Sequence, residues 1–385
     1  MKSLSLYPFL AAVWLAAVPA AAQESAAFVV TLGRDTVAVE RFTRTADRIE
    51  GVMINRTPRT SVRTWSGQLR PDGSISHLEV NVRVMNDPSV QQALTIDTSP
   101  DSAHWRLASG ANVAQGGFSP GMASFPWMFN NFSLVEVVTR WARSAGRDTV
   151  YATVVQPGAI LDSIRIIRLG ADSVLLYSLP GLMRIRTDPQ GRVLGVQSPE
   201  STLKVDVERL PSLDVMALAD RFAAVERQGR GLGTLSPRDS VAARVGDADV
   251  AVVYGRPAMR GRRIMGQVVP WGQVWRTGGD AATHFHTSRD LQVAGTRVPA
   301  GSYSLWSVPG PDGWTLIINS QTGQWGTEYD QARDFARIPV RTERAPDGPV
   351  EAVTMRFLES ECGEGATLAI DWENTRVVVP FTVVP

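Results

Sequence analysis

Cysteine is almost absent from this chain: Cys362 is the only one in 385 residues. No intramolecular disulfide can form, so the fold must stand on its core, which a chain of this length can build. The thiol lies in ESECGEGA between Glu361 and Glu364, where negative charge disfavours the thiolate a nucleophile needs. It reads as an inert loop thiol. Lysine is nearly absent too, with only Lys2 and Lys204. A coding bias toward arginine explains this at least as well as a need for forked guanidinium donors. Charge of one sign is also missing: 39 basic side chains face 38 acidic ones. That balance excludes a nucleic-acid partner or an anionic membrane surface as the main one. P-loop, HExxH, CxxC and Rossmann glycine signatures are absent as well.

The first 22 residues have the pattern of a secretory signal peptide. Lys2 supplies the positive end, Leu4 to Val18 is apolar, and Ala20-Ala21-Ala22 precedes Gln23. The apolar run is too short for a stable membrane span. The mature protein is expected to begin near Gln23 and to be periplasmic or extracellular. No cysteine follows the cleavage site, so no lipid anchor is expected.

Residues 23–211 read as a β-rich N-terminal unit. Phe28–Leu32, Thr36–Thr43, Ile49–Asn55, Thr60–Leu69 and Ile75–Val84 alternate or run apolar between short polar turns. More such segments follow from Thr149 to Val207. Roughly ten short strands point to an antiparallel sheet or open barrel. One helix interrupts them: Leu134, Val137, Val138 and Trp141 recur at helical spacing, with Ser133 as N-cap and Gly146 as stop. It is expected to pack over an open edge or mouth of the sheet. Gly116 to Phe132 reads as a loop, packed by its own aromatics or closing over an apolar cavity. Residues 212–238 form a second helix and a Gly/Ser/Pro-rich linker. From 239 to 385 the chain is strand-rich again, with Pro311-Asp312-Gly313 as a hairpin turn. About eight strands there suit a β-sandwich with jelly-roll-like connections. The fold class is therefore all-β with two domains.

The densest segment is Tyr254 to Gly278, YGRPAMRGRRIMGQVVPWGQVWRTG. Together with PAGSYSLWSVP (299–309), W-x-L-I-I-N (314–319), QWG (324–326) and the closing W-E-x-T-x-V-V-V-P-F (372–381), it resembles the bacterial family known as "domain of unknown function 2911". The resemblance covers roughly Ala243 to Val384, somewhat over a third of the chain. It implies an exported protein and a β-sandwich, and it brings no catalytic residues with it. Relatives usually carry Asn-Glu after WRTG, where this chain has Gly279-Asp280.

Three sets of residues can carry chemistry. Asp280, His284 and His286 form the catalytic or metal candidate. The two histidines share a strand face about 7 Å apart, as a metal pair would, but a third ligand is needed. Arg256, Arg262, Arg263 and Arg276 can bind an anion bidentately, or brace loops by pairing with Asp280, Asp330 and Asp334. Trp271, Trp275, Trp306, Trp314, Trp325 and Trp372 either fill the core or offer stacking platforms for a sugar ring. Trp306 and Trp314 flank the hairpin and are expected to meet across it. The reading that follows is a non-catalytic binding or envelope-associated protein without a cofactor. Its ligand is a glycan or small anion at Arg256, Arg262, Arg276, Trp271, Trp275 and Trp325. A hydrolase using Asp280, His284 and His286, with or without zinc, and a structural or interaction module are the alternatives. Oligomeric state is not legible.

Overall fold

The structure, a computed structural model, describes residues 23–156, 160–178, 181–198, 204–359 and 365–385. The signal-like segment and Cys362 lie outside them.

Fifteen strands among the described residues form the first sheet. Eight lead: β1 (Glu24–Leu32), β2 (Asp35–Arg44), β3 (Arg48–Asn55), β4 (Ser61–Leu69), β5 (Ile75–Val84), β6 (Asp87–Thr98), β7 (Ala103–Ser109) and β8 (Asn112–Phe118). Then come β9 (Ser124–Pro126), β10 (Thr149–Gln156), β11 (Ile160–Leu169), β12 (Ser173–Ser178), β13 (Gly181–Thr187), β14 (Val193–Gln197) and β15 (Asp206–Leu210). The order runs from β8 down to β1, then from β15 down to β9. The first and last strands are therefore neighbours at mid-sheet, with Val30 opposite Val207. Every pairing is antiparallel except β9 with β10. A sheet this wide must twist and curl. Its far end returns so that β9 rests against β5 and β6, making a nearly closed barrel.

Helix α1 (Phe132–Ser144) lies within the curl, with all but its last turn buried. Its N-cap is Asn131, not Ser133: the Asn131 Oδ1 accepts from the Leu134 amide at 2.9 Å. Ser133 sits in the first turn, and its hydroxyl donates to Glu40 and Asn131. Glu40 of β2 is fully buried and accepts from the Phe132 and Ser133 amides at 2.9 and 3.3 Å. A carboxylate there answers the orphan N–H groups of the helix start. Further along, Glu136 accepts from Arg140, Arg209 and the Val193 amide, and Glu24 bridges the same two arginines. The helix is pinned inside the barrel, rather than laid over its edge, by paired charges at one end and a carboxylate cap at the other.

Gly116 to Phe132 is only partly loop. Gly116–Phe118 ends β8, β9 follows, and Phe125, Trp127, Met128 and Phe132 are buried in the core. Strands β6, β7 and β8 carry many exposed polar side chains, so their apolar alternation is weak and the sequence hid them. Helix α2 (Val215–Arg227), capped by Asp214, covers the outer face of β2 to β4 by packing Val215 and Ala219 on Val39, Ile54 and Val62. No helix among the described residues is long and apolar enough to cross a membrane.

The second half is a β-sandwich. Its strands are β16 (Arg238–Val245), β17 (Ala248–Gly255), β18 (Thr283–Thr287), β19 (Leu291–Val293), β20 (Thr296–Val298) and β21 (Gly301–Val308). They continue as β22 (Trp314–Asn319), β23 (Asp334–Arg344), β24 (Val350–Glu359), β25 (Ala366–Glu373) and β26 (Thr375–Val383). One layer runs β16-β17-β18-β21-β22-β23; the other holds β24-β25-β26 with the β19–β20 hairpin. Strand β23 belongs to both, because residues 334–340 pair with β22 and 341–344 with β26. Its sequence, DFARIPVRTER, alternates charge with apolar side chains and contains a proline, which hid it from a hydrophobic scan.

Burial pushes the Glu40 carboxyl up to about 7, against its hydrogen bonds to Ser133 and Phe132 and with help from the nearby Glu136 charge. A raised folded-state pKa gives stability that is present below pH 4.5 and lost as pH rises through about 7. Urea unfolding of wild type between pH 5 and 9 is expected to show this loss, on the order of 3 kcal/mol. Glu40→Gln should lack it. Parallel pH profiles for the two proteins would count against a buried, titrating Glu40.

Candidate functional site

Between Gly255 and Thr283 the chain makes no named strand. It leaves β17, crosses the end of the sandwich and returns as β18, held by isolated bridges such as Trp275 to Ser307 and Ala258 to Ala352. Glycine makes this possible. A Cβ on Gly255 would sit 2.1 Å from the Gly279 carbonyl oxygen, and one on Gly326 would sit 2.2 Å from the Asp280 carbonyl oxygen. Neither contact is tolerable for any other residue. The separate words YGRP, WRTGG and QWG are therefore complementary surfaces of one packed knot. Trp275 lies beneath, stacked on Trp372 at 5.7 Å and edge-on to Trp314 at 5.9 Å.

The same loops meet the first half of the chain. The Arg34 amide donates to the Arg260 carbonyl at 2.9 Å, and the Arg260 guanidinium pairs with Asp35 at 2.6 Å. Gly33 has φ +60, and a Cβ there would strike the Arg260 oxygen at 2.3 Å. Beside this clamp is a cavity of about 100 Å³. Leu32, Val37, Asn130, Lys204 and Val205 border it from the first half. Val268, Trp275, Arg276, Gly279, Asp280 and Trp372 border it from the second.

The arginine candidates separate here. Arg256 donates to the Val353 carbonyl and Thr354 and pairs with Asp239 at 3.1 Å. Arg262 caps its own loop through the Met259 and Ala258 carbonyls, at 3.0 and 2.7 Å. Arg263 is exposed. These side chains brace the loop or face water. Arg276 differs: its Nε is buried without a partner, and no atom of its guanidinium has a hydrogen-bonded or ion-paired partner among the described residues. Burial lowers its pKa, while the Asp280 charge acts the other way. Asp280 is likewise unengaged through its carboxylate; burial raises its pKa and Arg276 lowers it. The two charges feel each other without touching. The expected pairing of the arginines with Asp280, Asp330 and Asp334 does not form. Asp334 instead holds Arg337, Tyr329 and Asn319, and Asp330 caps a short turn at Ala332.

The histidines stand elsewhere. His284 and His286 share one face of β18, opposite Ser304 and Ser302, and His286 meets the Ser302 hydroxyl at 3.0 Å. Burial lowers the pKa of His284, with the Arg238 charge adding to it; Asp280 is not among the charges acting there. Among the described residues no three His, Cys, Asp or Glu side chains gather to hold a metal. Trp306 and Trp314 do not meet across their hairpin: they lie on opposite faces, Trp306 against Tyr329 and Trp314 in the main core. Trp271 and Trp325 are exposed by 39% and 37% and line no wall of the cavity. One motif escaped the sequence reading. Gly117 to Gly121 spells G-x-S-x-G. It ends the exposed strand β8 rather than turning a strand into a helix, and Ser119 bonds to no histidine, so it is not a nucleophile elbow.

Residues 236–381 match the family described as "Protein of unknown function (DUF2911)". The DUF2911 segment thus supplies the knot and one wall of the cavity. The opposite wall comes from the N-terminal half, which no family model matches. No curated protein matches the chain. Among solved structures, a DUF1089 family protein from Pseudomonas aeruginosa aligns at 14% identity, over 49% of this chain and 95% of that one, with a TM-score of 0.32. A beta-barrel-like protein of domain of unknown function DUF1849 from Brucella abortus aligns at 7% identity, over 49% and 94%, with a TM-score of 0.33.

Trp275 as packing and Trp271 as surface predict different costs. Trp275→Ala should lose roughly 3–5 kcal/mol in denaturant unfolding. Trp271→Ala should lose less than about 1 kcal/mol. Equal losses would refute this division of the DUF2911 tryptophans.

Proposed function

We propose that the protein is a non-catalytic binding protein whose junction cavity receives a small anionic group. The observation that carries this reading is the half-buried Arg276 guanidinium beside the cavity, whose Nε is shut off from solvent with no partner among the described residues. A buried charge without a partner is costly, and the fold retains it. A carboxylate or a phosphate would supply paired acceptors in the geometry a guanidinium fork prefers. The size of the cavity argues against a glycan there: it is several times smaller than the roughly 300–1,000 Å³ of a drug-sized ligand pocket. A sugar platform would have to use the exposed Trp271 and Trp325 instead.

We also read the protein as exported, on Lys2, the apolar stretch from Leu4 and the alanines before Gln23. Expression of the full chain with N-terminal sequencing of the exported product should return Gln23 or a residue close to it. An uncleaved product retained in the cytoplasm would remove this part of the reading.

The binding reading separates from a purely structural one by the sign of a stability change. Without ligand, Arg276→Gln should be as stable as wild type or more so, because it removes an unpaired buried charge. A bracing arginine would cost stability when lost. Acetate and phosphate should raise the thermal midpoint of wild type, by about 2.7 kcal/mol of stabilisation at 100 times Kd. They should leave Arg276→Gln unmoved. A destabilised variant with no anion response in wild type would overturn the proposal.

A further inference from the structure

The cavity holds one carboxylate as well as its cations. Of the cationic side chains that border it, Arg262 is spent on two backbone carbonyls and Lys204 is engaged. That leaves Arg276 and Asp280, four residues apart, bordering the same space. They form no ion pair within 4 Å, although nothing else engages either charge among the described residues. The knot fixes the main chain of one and the stem of the other. Asp280 has φ +60, and its carbonyl is fixed by the Gly326 amide at 3.0 Å. The Arg276 stem lies flat over Gly326, where a Cβ would be 2.0 Å from its Cδ. Both residues are held by the knot rather than by each other.

We infer that the ligand of this cavity is a small zwitterion, its anionic group on Arg276 and its cationic group on Asp280. The inference rests on the anion-binding reading above and adds the second charge to it. A simple anion would satisfy Arg276 while adding repulsion from Asp280. A molecule carrying both charges a few atoms apart answers both, and each half-buried charge gains the partner it lacks. Size narrows the class. A water molecule's share of liquid volume is about 30 Å³, and the cavity measures about 100 Å³. It admits a molecule of a few heavy atoms, such as an α-amino acid with a very short side chain. Trp275, Trp372 and Val268 give it an apolar wall on which a methyl group can rest and a charged side chain cannot.

Trp275 and Trp372 border the cavity, so intrinsic fluorescence reports occupancy directly. Full-length mature protein titrated with glycine, alanine, acetate and phosphate is the experiment, with the thermal midpoint as a second readout. Glycine or alanine should half-saturate at a concentration at least tenfold below acetate. Asp280→Asn should bring them to the level of acetate while leaving acetate binding equal or tighter. Arg276→Gln should abolish all of it, and Arg276→Lys, which keeps the charge, should restore part if Arg276→Gln proves poorly folded by circular dichroism. Acetate or phosphate binding as tightly as glycine in wild type would overturn the zwitterion and leave the anion reading standing. No response to any of the anions or zwitterions would overturn both.

Discussion

Glycine-permitted backbone contact is the constraint on which the second half of this protein depends. Gly255 meets the Gly279 backbone and Gly326 meets the Asp280 carbonyl at distances that no Cβ allows. These approaches close the long excursion between β17 and β18 into a rigid knot. Within it Trp275 stacks on Trp372, Arg276 Nε has no partner, and Asp280 takes a left-handed backbone angle. The density of glycine and tryptophan in the DUF2911 words is thus a packing requirement. The chemistry is a by-product of where the packing strands two charges.

The first half rests on a different solution. Its barrel buries a helix that carries charge, and each charge is answered. Glu40 caps the helix start, while Glu24, Glu136, Arg140 and Arg209 form a mutually paired group. Breaking one member of such a group leaves an uncompensated partner, which costs more than the pair itself contributes. Arg63 of β4 and Arg276 at the junction stand outside any such group: the Nε of each is buried without a partner, and burial lowers the pKa of both.

Much of the architecture was legible in one dimension. The strands from Phe28 to Val84, the turn at Pro311-Asp312-Gly313 and the helical spacing of Leu134, Val137, Val138 and Trp141 follow from the period of apolar residues, which burial on one face enforces. Exposed strands escaped for the same reason: β7, β8 and β23 bury little, so their alternation is written in arginine, serine and glycine. The helix cap moved from Ser133 to Asn131 because Ser133 found a long-range acceptor in Glu40, ninety-three residues away.

For the site, the sequence by itself determined the family words and a set of four arginines, six tryptophans and two histidines without ranking them. Residue type fixes what a side chain can bond, not whether a bond is available. Tertiary structure decided that Arg256 and Arg262 are consumed by backbone carbonyls and that Asp280 is not among the charges acting on His284. It also decided that the cavity has one wall in each half of the chain. Those outcomes depend on which carbonyls lie within 3 Å of each guanidinium, and that is a property of chains brought together from positions as distant as Gly33 and Arg260.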